Sequence, residues 1–233
     1  MRMREETVEI GALRAISVGP EDPALAQLVV VLLHGFEMDP AALSPFAHSL
    51  GVPAWFLFPE APLAAVSRGR AWWYIDPVAR AEAIARGPRD FAVQSPPDLP
   101  AARDALTAFL DELAPRVAGR PLVVGGFSQG GMLACDTLLR GARRVDAAVL
   151  LSASRITYAE WTPLLALDRM RGLPVLVSHG RDDRDLAFEA GLALRDALTA
   201  AGADVTWVPF DTGHEIPLAV WRRLKRFLTA LAR

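Results

Sequence analysis

Six short runs of this chain are apolar almost without interruption, and they constrain the fold more than any other feature. They are residues 27–33 (QLVVVLL), 54–58 (AWFLF), 121–127 (PLVVGGF), 147–151 (AAVLL), 174–178 (PVLVS) and 204–210 (DVTWVPF). A strand with one wet face alternates apolar and polar residues, whereas a strand without that alternation is covered on both faces. Helical periods fall between the runs. Residues 98–113 place Leu99, Ala102, Leu106, Phe109, Leu110 and Leu113 on one face, with Asp98 as the expected N-cap. Residues 129–140 follow the third run, and residues 185–201 end before Gly202, a suitable C′ glycine. Residues 217–232 align Val220, Leu224, Phe227, Leu228 and Leu231, with most arginines facing away. The βαβα order predicts an α/β fold, a doubly wound and mostly parallel sheet with helices on both faces. Residues 8–10 and 15–18 are expected as an antiparallel edge pair.

A chain of 233 residues, 52 % hydrophobic, suits one α/β domain over residues 1–233. Residues 59–97 interrupt the pattern. They have no clean period, contain Trp72, Trp73 and Tyr74, and include the turn cluster Ser95-Pro96-Pro97. A long irregular run inside a domain is expected to work as a lid or binding loop, here above the carboxyl ends of the strands.

Charge and composition exclude several classes. With 25 basic and 27 acidic residues the net charge is −2, so no basic excess is available to neutralise nucleic-acid phosphates. Cys135 is the one cysteine, which rules out an internal disulfide and a cysteine-rich zinc site and reads as a small buried residue. Lys225 is the one lysine, a poor Schiff-base candidate among arginines. His34, His48, His179 and His214 show no metal-ligand spacing, so no metal or other cofactor is expected. The segment MRMREETVEI has no apolar run after its charges, and no stretch approaches the ~20 apolar residues of a membrane span. A cytoplasmic protein is expected.

The chemistry concentrates at Gly126-Phe127-Ser128-Gln129-Gly130. This G-x-S-x-G lies between a strand run and a helical run, the context in which a tight turn forces the serine into a strained backbone and exposes its hydroxyl. A helix N-terminus there favours developing negative charge. A serine needs a base, and the base needs an orienting acid. In the α/β-hydrolase chain order, serine precedes acid and acid precedes histidine. His214 follows the last strand run and is the candidate base. The acid should follow residues 174–178, where Asp182, Asp183 and Asp185 compete. Asp185 is expected to cap the next helix. Spacing alone leaves Asp182 and Asp183 unresolved, and Asp211 is a rival too close in sequence to His214 to approach Nδ1 well. An oxyanion hole needs two backbone N–H groups, for which Gln129 and Phe36 are the candidates. His34 is expected to stabilise its turn.

LHGFEMD, GGFSQGGMLA, HGRDDRDL and TGHEI resemble the bacterial carboxylesterase and phospholipase family related to acyl-protein thioesterases. The resemblance runs from about Gln27 to the C-terminal helix. It implies Asp183 as the acid, hence Ser128, Asp183 and His214 as the triad, with cofactor-free hydrolysis of esters or thioesters. The family usually has LHGxG, and Glu37 stands here in place of the second glycine. Trp72 and Trp73 lie where the family has a tryptophan-containing segment along the substrate groove. Trp72 is expected to face the site and Trp73 to pack beneath the loop. Glu37, Trp72, Trp73, Leu186 and Ile216 are the candidate substrate contacts.

The expected function is hydrolysis of small to medium acyl esters, with thioesters and lysophospholipids in range. Peptidase and lactone-hydrolase activity on the same fold are alternatives, as is a non-catalytic binding protein. The expected partner is a small-molecule ester or thioester, with a homodimer left open; no nucleic acid and no membrane span are expected.

Overall fold

The apolar runs pair into one eight-stranded sheet with a smaller ladder beside it. The computed structural model describes residues 3–141 and 143–232; Met1, Arg2, Ala142 and Arg233 of the expected span lie outside the described residues. The strands are β1 (Met3–Ile10), β2 (Leu13–Pro20), β3 (Leu28–Leu33), β4 (Ala54–Pro59), β5 (Leu63–Ala64), β6 (Arg70–Ala71), β7 (Leu122–Phe127), β8 (Ala147–Leu151), β9 (Pro174–Gly180) and β10 (Asp204–Phe210). The large sheet has the order β1-β2-β4-β3-β7-β8-β9-β10, and β5 pairs only with β6. The two pairings at the β1 end, β1 with β2 and β2 with β4, are antiparallel; the rest of the large sheet is parallel. The edge pair is longer than expected. In β1 half-buried and exposed residues mix, and its charged side chains suit an edge strand, so the apolar signal covered only its end.

Period two explains the layers. Val29, Val31 and Leu33 of β3 join one apolar cluster, while Leu28, Val30 and Leu32 join another on the opposite face. Helices α3 (Leu99–Val117), α4 (Gln129–Leu139), α5 (Tyr158–Leu165) and α6 (Phe188–Ala200) face the first cluster. Helices α1 (Ser44–Leu50) and α7 (Leu218–Leu231) face the second. The chain is therefore an α/β-hydrolase-type sheet with helices on both faces, as the runs imply. Gly202 follows the C-cap of α6 with φ +86°, the left-handed conformation that glycine adopts most cheaply.

Two expected caps are not used. Asp98 makes no side-chain bond to its helix; its Oδ2 accepts the N–H of Tyr74 at 3.0 Å. Helix α6 begins at Phe188, after Ala187, and the Asp185 carboxylate pairs with two arginines instead of capping it. Residues 59–97 hold the β5–β6 ladder and a further helix, which lies between β6 and α3 and is labelled α2 (Pro77–Arg86). Asp76 Oδ1 accepts the N–H groups of Val78 and Ala79, and Pro77 supplies a preset first turn. No residue of α2 is buried. No helix of the described residues is long and apolar enough to cross a membrane.

Chain order leaves β3 toward β4 and returns to β7 on its other side. The crevice at the carboxyl ends of β3 and β7 is therefore a topological switch point, where open α/β sheets take their ligands.

Candidate active site

Ser128 stands at that switch point, between β7 and α4, with φ +53° and ψ −117°. This conformation is costly for a residue with a Cβ, and its surroundings hold it there. Ser128 N–H donates to Leu151 O at 2.8 Å, and Ser128 O accepts from Met132 N at 3.0 Å. Glycine is required on both sides of the turn. A Cβ on Gly126 would come within 2.6 Å of Leu33 O, and one on Gly130 within 2.5 Å of both Leu33 O and His34 O.

Hydrogen bonds join three side chains from three loops. His214, after β10, has Nε2 2.8 Å from Ser128 Oγ. Its Nδ1 is 2.6 Å from Oδ2 of Asp183, after β9. A carboxylate oxygen only accepts, so Nδ1 carries the proton and Nε2 is free to accept from the serine hydroxyl. The His214 ring lies 4.9 Å from that of Phe127. Asp183 is 3 % exposed, and its Oδ1 accepts from Asp185 N at 2.8 Å and Leu186 N at 2.9 Å. Asp182 is exposed, and Asp211 is 88 % exposed and paired with Arg181 at 3.0 Å. Of the competing aspartates, Asp183 is the one brought to His214.

A second imidazole lies behind the carboxylate. Fully buried His179 has Nε2 3.1 Å from Leu186 O and 3.4 Å from Asp183 Oδ2. A carbonyl can only accept, so this nitrogen bears a proton. Burial, the largest influence, lowers the pKa of His179, against the hydrogen bond to Leu186 and the charge of Asp183. His34 is also lowered, chiefly by burial. Its Nδ1 lies 2.8 Å from Gly35 O and its Nε2 accepts from Ala61 N at 3.1 Å, which pins the turn after β3. Burial pushes the Cys135 thiol upward, so it remains protonated and inert.

The two candidate oxyanion donors lie on adjacent turns. Gln129 is the first residue of α4, so its N–H has no acceptor within the helix. In the 34–38 turn, Glu37 N donates to Arg70 O and Met38 N to Gly35 O, while Phe36 N–H has no acceptor among the described residues. The Gln129 side chain has a role the sequence did not announce. Its Oε1 accepts from Trp72 N at 2.8 Å and its Nε2 donates to Trp73 O at 2.9 Å, clamping that segment to the start of α4.

A cavity of about 60 Å³ contains Ser128 and His214. Trp73 and Leu186 line it; Glu37, Trp72 and Ile216 do not. The expected order of the tryptophans is reversed. Trp72 Nε1 donates to His34 O at 2.9 Å, which turns that ring beneath the loop. Ile216 packs against the cluster beneath α7. Glu37 has φ +60°, a conformation glycine would adopt without strain, and its carboxylate is taken by Ser67 Oγ. The lining also includes Arg80, Arg89 and Asp185, which were not expected. For Arg80 a usable signal existed, because Asp76-Pro77 marks a helix start.

Comparison with known proteins adds independent findings. A family model described as phospholipase/carboxylesterase matches residues 18–232. Carboxylesterase SOBER1 of Arabidopsis thaliana is 26 % identical over 213 residues, 82 % of this chain and 85 % of that protein. Acyl-protein thioesterase 1 of Gibberella zeae is 33 % identical over 100 residues, 40 % of each chain. The crystal structure of Zea mays acyl-protein thioesterase 2 superposes with a TM-score of 0.73 at 22 % identity, covering 94 % of this chain and 99 % of that one. At that identity the superposition speaks to the fold alone.

Proposed function

Since the chain belongs to the phospholipase/carboxylesterase family of α/β-hydrolases, we propose that it hydrolyses carboxylic esters and thioesters of small to medium acyl groups, with Ser128 as nucleophile, His214 as base and Asp183 as the orienting acid. One observation carries this reading: the unbroken path Ser128 Oγ, His214 Nε2, His214 Nδ1, Asp183 Oδ2, with steps of 2.8 Å and 2.6 Å across the hydrogen bonds.

In the first half-reaction Ser128 Oγ attacks the carbonyl carbon while His214 Nε2 takes its proton. The N–H groups of Phe36 and Gln129 receive the developing oxyanion. Collapse of the tetrahedral intermediate breaks the carbon–oxygen or carbon–sulfur bond, and the imidazolium returns the proton to the departing alcohol or thiol. Water then attacks the acyl-serine, again losing a proton to His214, and the carboxylic acid leaves as Ser128 is restored. Asp183 stays ionised throughout and stabilises the imidazolium.

The test uses p-nitrophenyl esters of increasing acyl length, an acyl thioester, and a fluorophosphonate probe. The unaltered protein is expected to turn over the shorter esters and to be labelled at Ser128. Ser128→Ala should lower kcat by a factor on the order of 10⁶, with an unchanged fold. Full activity in a folded Ser128→Ala sample would overturn the assignment.

A further inference from the structure

The cavity over Ser128 has aromatic and aliphatic walls in Phe36, Trp73, Ile75, Phe91 and Leu186, yet it also contains two guanidinium groups. Arg80 comes from α2 and Arg89 from the segment that follows it. Their side chains are 28 % and 17 % exposed. Between them lies one carboxylate, Asp185, which pairs with Arg80 through Oδ2 and with Arg89 through Oδ1. Glu37 is the other acid beside Arg80, 3.9 Å from Nη1 and outside the cavity lining. Within the lining, two cations therefore share one anion.

Each guanidinium lies over an aromatic ring. Arg80 sits 5.4 Å from the centroid of Phe36 and Arg89 4.8 Å from that of Phe91. A guanidinium resting on a ring keeps its N–H edge free for a planar acceptor. Arg80 Nε and Arg89 Nη1 have no acceptor among the described residues. Phe36, over which Arg80 lies, also carries a candidate oxyanion N–H.

We infer that the acyl arm of the substrate ends in a carboxylate and that Arg80 and Arg89 recognise it. The inference rests on the proposed Ser128 hydrolysis. The acyl arm stays attached to Ser128 through both half-reactions, so it is the arm on which fixed charges act throughout. Apolar walls exclude water and make a guanidinium–carboxylate contact stronger than it would be in the open. Burial and then the neighbouring Arg80 draw the Arg89 pKa down to about 10, against the charge of Asp183.

The test compares 4-nitrophenyl hemiadipate with its methyl-capped neutral counterpart, two acyl arms of closely matched length. In the unaltered protein, kcat/KM is expected to favour the hemiadipate by about tenfold or more, and added salt should shrink the ratio. Arg80→Gln and Arg89→Gln should each bring the ratio toward one, with thermal unfolding recorded beside them. Arg80→Lys, which keeps the charge but loses the fork, should retain part of the preference. A ratio at or below one in the unaltered protein, with Ser128-dependent turnover of the neutral ester, overturns this inference and leaves the hydrolase reading standing. Variants that fold and keep the parent ratio overturn it too. Absence of Ser128-dependent turnover and of fluorophosphonate labelling overturns both.

Discussion

At the scale of single residues, the Asp183 carboxylate has no freedom to turn. Two backbone N–H groups hold Oδ1, and two imidazole nitrogens face Oδ2. In the proposed mechanism this fixity keeps the His214 proton on Nδ1 and leaves Nε2 as acceptor. Asp183→Asn exchanges an acceptor for an amide that can hold the opposite tautomer, so kcat should fall by a factor on the order of 10⁴. Asp182→Asn, at an exposed position, should change kcat little. The check is kcat on one p-nitrophenyl ester with circular dichroism of each variant; equal losses would show that the carboxylate path does not run through Asp183. Spacing could not choose between these neighbours. Adjacent loop residues point in different directions, and the turn that orients them is closed by backbone bonds that composition does not reveal.

Helix α4 shows the same limit at the scale of an element. Its sequence marks it as a helix after the serine, but not that Asp136 is fully buried in it. Arg103 Nε lies 2.6 Å from Asp136 Oδ2, Arg140 Nε 3.1 Å from Oδ1, and Trp161 Nε1 donates to Oδ1 at 2.8 Å. One carboxylate thus ties α3, α4 and α5 together. Asp136→Ala would leave two partly buried guanidiniums and an indole N–H without it, at a cost of about 3 kcal/mol. Urea unfolding measures this, and a loss under ~0.5 kcal/mol would place the network with ordinary surface pairs. Helix α2 is the converse case. None of its residues is buried, and Arg80 on it pairs with Asp185 in the loop after β9.

Over the whole molecule, two imidazoles couple stability to pH. His34 and His179 are fully buried, and burial lowers both below the ordinary imidazole value near 6.5. The unfolded chain therefore takes up protons on these groups before the folded chain does. Their contribution is present above about pH 6.5 and is lost as pH falls toward the lowered folded values, at up to about 1.4 kcal/mol per pH unit for each proton. Denaturant midpoints at pH 8, 7, 6 and 5 should be level at first and then fall. A midpoint unchanged between pH 7 and 5 would mean that neither imidazole is kept neutral by folding. A Cβ at Gly191 would meet His179 Nδ1 at 2.4 Å, so the space for one of these rings is itself a tertiary feature.

The sequence by itself determined the parallel sheet, its covered faces, the serine elbow and the histidine after the last strand. These depend on local period and chain order, which survive without knowledge of neighbours. Tertiary structure alone decided which tryptophan faces the cavity, and that Arg80, Arg89 and Asp185 gather beside Ser128. Those outcomes join residues far apart in the chain: Arg80 and Asp185 are 105 positions apart, and Gln129 and Trp72 are 57 apart. No local pattern encodes such pairs, because the partners meet only after the sheet has brought their loops to one edge.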